Sequence, residues 1–119
     1  MGRCILKATR DDDLYLEWSS IVDACTLVGT RAEVLASGRH REDALDRADR
    51  TGTSDRVALL GCWDDNHLGV GTTEHRQQEG PLLLDRADLA AFARHLADGD
   101  SRQAEMLLMP DPERWDEAG

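Results

Sequence analysis

Apolar and polar positions alternate over residues 3–9. Cys4, Leu6 and Ala8 fall on one side of an extended chain, and Ile5, Lys7 and Thr9 fall on the other. Residues 14–20 repeat the pattern, with Leu14, Leu16 and Trp18 opposite Tyr15, Glu17 and Ser19. Between the two runs lies Arg10-Asp11-Asp12-Asp13, a polar turn cluster. A period of two on both sides of a short polar turn predicts an antiparallel hairpin. One stripe of each strand would face a core, and the other would stay partly wet. The apolar stretch Cys25–Val28 is expected to continue the second strand past a bend around Asp23.

The period then changes. Thr30-Arg31-Ala32-Glu33 has the spacing of a capping box, in which a hydroxyl and a carboxylate satisfy free amides at a helix start. A short helix from about 31 should end near Gly38, which can take the left-handed conformation that stops a helix. A second helix is predicted over 42–50. Ala44, Leu45 and Ala48 share one of its faces, and Asp43/Arg47 and Asp46/Arg50 pair at i,i+4. After the loop Thr51–Asp55, the run Arg56–Leu60 reads as a strand bending at Gly61 into Cys62-Trp63. Asp64-Asp65-Asn66 reads as a turn and His67–Val70 as the returning partner, with 71–80 a strand extension or a loop.

The clearest helical signal follows. Asp85 is placed to cap a helix whose Leu89, Phe92, Ala93, Leu96 and Ala97 fall on one face. Leu84 and Leu89 stand at the positions of a hydrophobic staple, and Gly99 is the stop. A last short helix should run from Asp100 with Ala104, Leu107 and Leu108 on one face, stopped by Pro110. These elements predict an α+β fold in the order β-β-α-α-β-β-α-α. It would be an antiparallel sheet built from two β-hairpins and covered by helices. Residues 1–110 would form one such domain, and 111–119 an acidic, frayed tail onto which Trp115 could fold back.

Composition narrows the chemistry. The 119 residues carry 24 acidic and 14 basic side chains, a formal net charge of -10. Such a field repels nucleic-acid phosphates, because affinity for them comes from cationic side chains. It attracts basic protein surfaces, although solubility alone also accounts for it. Lys7 is the single lysine among the basic residues, a bias that belongs to a GC-rich genome and not to a binding signature. Cys4, Cys25 and Cys62 are odd in number and form no C-x-x-C pair. Reduced thiols in a cytoplasm are the simplest reading. No apolar run reaches signal-peptide or membrane-spanning length.

Motifs with chemistry are scarce. Trp63-Asp64-Asp65-Asn66-His67 gathers oxygen and nitrogen ligands. A calcium loop starting at Asp64 would place Leu68 at its fifth position and His75 at its twelfth, which breaks the pattern. His40, His67, His75 and His95 match no zinc spacing, so no metal and no cofactor are expected. The glycine-hydroxyl loops at 51–54 and 69–73 complete neither phosphate-binding fingerprint. No serine or cysteine has a nucleophile's sequence context, so no catalytic residue is assigned. The candidate ligand-binding residues are Glu17, Trp18, Trp63, Asp64 and Asp65, which would form a polar site if the hairpin ends met.

Three strings resemble those of a group of small actinobacterial proteins: Arg10–Ser19, Gly29–Glu33 and Arg47–Ser54, with Trp63-Asp64-Asp65 similar as well. The resemblance is carried by these short strings, spread between residues 10 and 65. It implies a bacterial, cytoplasmic origin and no particular mechanism. Two functional expectations follow from the sequence. One is a non-enzymatic binding or regulatory protein that engages a basic protein partner, with no membrane and no direct nucleic-acid binding. The other is a small enzyme or ligand-binding domain using the five candidate residues. Homodimerisation through an exposed sheet edge is compatible with both.

Overall fold

A computed structural model describes residues 3–19, 24–57, 59–70 and 82–109. The predicted first hairpin forms from β1 (Arg3–Lys7) and β2 (Tyr15–Ser19), with Lys7 opposite Tyr15 and Arg3 opposite Ser19. Cys25–Val28 does not extend β2. It lies in a separate strand, β3 (Ala24–Gly29), which returns antiparallel along the free edge of β2. A bulge at Thr26 sets Leu27 opposite Glu17 and Cys25 opposite Trp18. The sheet order is therefore β1-β2-β3, with β2 in the centre.

That central position changes the burial of β2. All five of its residues are buried, where a half-wet strand was expected. One side packs Ile5, Tyr15, Val34, Leu45 and Ala48 under helices α1 (Arg31–Ala36) and α2 (Glu42–Thr51). The other side packs Leu6, Leu16 and Trp18 against Leu68, Leu84, Leu89 and Phe92. Alternation in β1 and β2 thus separates two cores, not a core from water. Two polar residues of β2, Glu17 and Ser19, are carried inward with them.

The capping box at α1 is present in full. Thr30 Oγ1 accepts from the Glu33 amide at 3.3 Å, and Glu33 Oε1 accepts from the Thr30 amide at 3.0 Å. α2 ends at Gly52 in the left-handed region, and the chain then covers the free edge of β1. Lys7 N–H donates to the Gly52 carbonyl, and Ser54 N–H donates to the Ile5 carbonyl. A bare strand edge is thereby closed by the chain itself.

Among the described residues of the predicted Arg56–Leu60 strand, no strand forms. The Asp55 carboxylate accepts from the amides of Val57 and Leu60, at 3.1 and 3.0 Å, and so wraps the segment into a loop. A short acidic side chain can compete with a sheet ladder in this way. Val57 is left 93% exposed, and Leu59 takes a φ of 55°. The second hairpin therefore pairs β4 (His67–Val70) with β5 (Leu82–Asp85), a strand the apolar pattern did not single out. β6 (Leu108–Met109) joins the far side of β5, giving a second sheet of order β4-β5-β6.

Asp85 does cap its helix, accepting from the Ala87 amide at 3.1 Å. The first turn (Arg86–Asp88) is a 3-10 turn, and α3 runs over Leu89–Ala97. Leu84 and Leu89, the staple pair, are both fully buried. Gly99 turns the chain at a φ of 78°, and Asp100 caps α4 (Ser101–Glu105). α4 stops at Met106 instead of continuing to Pro110, and Leu108-Met109 become extended. A residue before proline is biased away from the helical region, and β5 offers it a partner. The fold is α+β, with an order of β-β-β-α-α-β-β-α-α and a short closing strand. The expected tail 111–119 and its Trp115, like residues 71–80, lie outside the described residues.

Gly61 is the backbone position with least tolerance. It holds a φ of 82°, and a Cβ there would lie 2.4 Å from Cδ2 of the fully buried Leu6. Left-handed strain and overpacking add, so Gly61→Ala should cost about 2–4 kcal/mol. Urea-unfolding midpoints of the two proteins measure this. An unchanged midpoint would mean that the loop relaxes freely.

Candidate functional site

Three polar constellations stand out among the described residues. The first is built around Arg86, placed by the 3-10 turn at the end of β5 and only 7% exposed. Its Nε donates to the Gly61 carbonyl at 2.9 Å and its Nη1 to the Ala8 carbonyl at 3.0 Å. Its Nη2 donates to Lys7 at 2.6 Å and, weakly, to Gly52 at 3.5 Å. One guanidinium thus ties together the end of β1, the end of α2 and the loop before β4. Burial lowers its pKa from the ordinary arginine value, and Asp65 acts in the opposite direction.

Arg86 also lies 5.0 Å from the ring centroid of Trp63, and Arg10 lies 4.8 Å from it. Both distances fall within cation–π range. These side chains, with Asp65, Asn66 and Asp85, line an open cleft of about 360 Å³. The Trp63 indole is fixed by donation from Nε1 to the Arg50 carbonyl at 3.1 Å. Asp65 is fixed by accepting from the Gly61 amide at 2.6 Å. Asp85 is held as the helix cap.

The second constellation is the outer face of α2. Asp49 receives Tyr15 Oη at 2.5 Å, Lys7 Nζ at 3.1 Å and Arg31 Nη1 at 3.1 Å. Arg31 Nη2 reaches Asp46 at 2.7 Å, and Arg47 Nη1 reaches Asp43 at 3.1 Å. Burial raises the Asp49 carboxyl, but the hydrogen bonds from Tyr15 and Lys7 outweigh it and the net pKa is lowered. Burial and the Asp49 carboxylate push the Tyr15 phenol up to about 12.

The third surrounds Glu17, whose side chain is fully buried under the first sheet's helical layer. Oε1 receives Thr26 Oγ1 at 2.6 Å and Arg39 Nη1 at 2.9 Å, and Oε2 meets His40 Nε2 at 2.6 Å. Arg3 Nε stands 3.9 Å from Oε1. The bulge in β3 brings Thr26 to this carboxylate, and the turn after α1 delivers Arg39 and His40. Burial raises the Glu17 carboxyl, yet the bonds from Thr26, His40 and Arg39 prevail and hold it below its usual value.

The five residues singled out from sequence go to different places. Trp63 and Asp65 share the Arg86 cleft, with Asp64 exposed in the same turn. Trp18 is 1% exposed in the core, 6.3 Å from the Phe92 ring. Glu17 points from β2 toward the helices, the side opposite Trp18, and its described partners include neither tryptophan nor Asp64 or Asp65. Arg86, Arg39, His40 and Thr26 were not anticipated. Only the fold brings them to their partners, across separations of up to 79 residues for Arg86.

Burial raises two thiols, Cys4 to about 11 and Cys25 to about 12. Both are therefore protonated at neutral pH, which weakens them as nucleophiles. Among the described residues, no three His, Cys, Asp or Glu side chains converge as a metal site. No described helix is long and apolar enough to cross a membrane. No protein-family model, no curated protein and no solved structure matches the chain.

Proposed function

We propose that this chain is a non-enzymatic, cytoplasmic binding or regulatory protein whose α2 face engages a basic surface on a protein partner. One observation carries the reading. In four of the five ion pairs described on that face the acid is the outer partner; in the fifth, Asp43 with Arg56 at 4.0 Å, the base is slightly more exposed, 69% against 64%. Asp43 is 64% exposed against 24% for Arg47, Asp46 is 54% against 30% for Arg31, and Asp49 is 36% against 13% for Lys7. In those four pairs the base lies inward and holds the carboxylate in place. Exposed Glu42 and Glu33 extend the same sign. A partner would meet an ordered row of carboxylates, and complementary charge of this kind raises association rates and selects partners.

The test is capture from host cytosol at low and high salt, comparing the parent with a Glu42→Lys/Asp46→Lys variant and an Asp98→Lys control. Asp98 is exposed at the far end of α3, away from α2. A stoichiometric basic partner should bind the parent and the control, weaken with salt, and be lost to the α2 variant by tenfold or more. A partner that binds all three proteins alike would sink the reading. If no partner appears at either salt, the Arg10–Trp63–Asp65 cleft becomes the better site for a small ligand.

A further inference from the structure

The exposure order at Glu17 is the reverse of that on α2. Here the acid is fully buried, while Arg3 is 55% exposed and Arg39 is 50% exposed. A buried carboxylate needs hydrogen bonds and one counter-charge. Thr26, Arg39 and His40 already supply these, with at least one contact to each carboxylate oxygen. Arg3, at 3.9 Å and with no hydrogen bond to another described residue, is surplus to that requirement. Two guanidiniums against one carboxylate leave a surplus of one positive charge among these groups. The surplus sits on the outer side, on a chain whose overall charge is -10.

We propose that Arg3, Arg39 and His40 form a binding site for the phosphoryl group of a small soluble molecule, with Glu17 as the positioning residue that holds them together. Each guanidinium carries five N–H donors in a planar fork suited to phosphate oxygens. Arg39 commits one nitrogen to Glu17 and keeps the rest of its fork, and Arg3 keeps all of its own. His40 uses Nε2 on Glu17, and Nδ1 has no partner among the described residues. A phosphate monoester presents three terminal oxygens to the two guanidinium forks and to His40, one more than a carboxylate presents. Charges more than about 8–10 Å from the site are largely screened in physiological salt. The site borders the start of α2 and shares no side chain with the acidic row.

The experiment is thermal unfolding of the full chain in sodium phosphate against sodium chloride and sodium acetate, all at matched ionic strength. Phosphate at a few tens of times its Kd should raise the midpoint by about 5 °C over chloride, and acetate should add little. Arg3→Gln should remove most of that rise. Arg3 is half-exposed and is not needed to satisfy Glu17, so this variant should fold with an unchanged midpoint in chloride. Arg39→Lys, which keeps the charge but loses the fork, should also lose most of the rise. Arg94→Gln, a half-exposed arginine paired with Asp12 on another element, should keep all of it. Equal midpoints in phosphate and chloride would overturn the site. So would an acetate effect as large as that of phosphate, or equal loss in the Arg94 variant.

Discussion

Replacing Arg86 by alanine is expected to destabilise the protein by about 3–5 kcal/mol, the largest effect of any single side chain outside the apolar cores. The guanidinium satisfies carbonyls of Gly61, Ala8 and Lys7 at 2.6–3.0 Å, from a residue only 7% exposed. Without it those oxygens face a cavity. Each buried orphan costs about 1–3 kcal/mol, though entry of water recovers part of the sum. Arg86→Met separates polar from packing effects, since it restores most of the stem volume and none of the donors. It should remain nearly as unstable as the alanine variant. Arg86→Lys should recover about half, because one ammonium cannot span three carbonyls set around a fork. Urea titrations of the three variants measure the order. A methionine variant as stable as the parent would show that packing, not carbonyl satisfaction, is what Arg86 contributes.

Arg86 also marks where local reading of the chain reaches its limit. Elements carried by a short local pattern were legible, namely the Thr30/Glu33 capping box, the Asp85 cap with its Leu84/Leu89 staple, and the first hairpin. Elements decided by a competing hydrogen-bond partner were not. Arg56–Leu60 has the apolar content of a strand, but the Asp55 carboxylate collects the amides of Val57 and Leu60. Leu108-Met109 has helical spacing with Ala104, but the free edge of β5 lies within reach. In both cases a nearby hydrogen-bonding group outcompeted a weak intrinsic preference.

The polar clusters divide along the same line. Glu17 could be noticed in the sequence as a carboxylate in an alternating strand, but the alternation assigned it to a wet face. Only the return of β3 makes β2 central and buries both of its sides. Once Glu17 is inside, partners become obligatory, and they come from 9, 22 and 23 residues away. Trp18 and Trp63 could be noticed as scarce aromatics, yet one fills the core and the other supports two arginines. Residue type alone did not distinguish those fates. Face and depth did, and both are properties of the sheet.

Removing the Glu17 carboxylate gives the second large expected effect and ties stability to pH. Glu17→Ala should cost about 3–4 kcal/mol, since it leaves a cavity and strips partners from Thr26, His40 and Arg39. The value sits low in the range for buried pairs because Arg39 is half-exposed and can be rehydrated. Glu17→Gln keeps the volume and one acceptor, and should cost about 1–3 kcal/mol. The folded-state pKa of Glu17 is below its ordinary value, so below about pH 4.5 the unfolded chain takes up this proton more readily than the folded one. The stabilisation from Glu17 is therefore fully present above that pH and is lost as pH falls through the folded-state pKa. Asp49, lowered in the same way, adds to the loss. Urea midpoints from pH 7 down to about 3 should fall steeply for the parent and less steeply for Glu17→Gln, so that the two curves converge at the acid end. Parallel curves would mean that the Glu17 carboxyl is no more acidic in the folded protein than in the unfolded chain. Its cluster with Arg39 and His40 would then contribute through shape and packing alone.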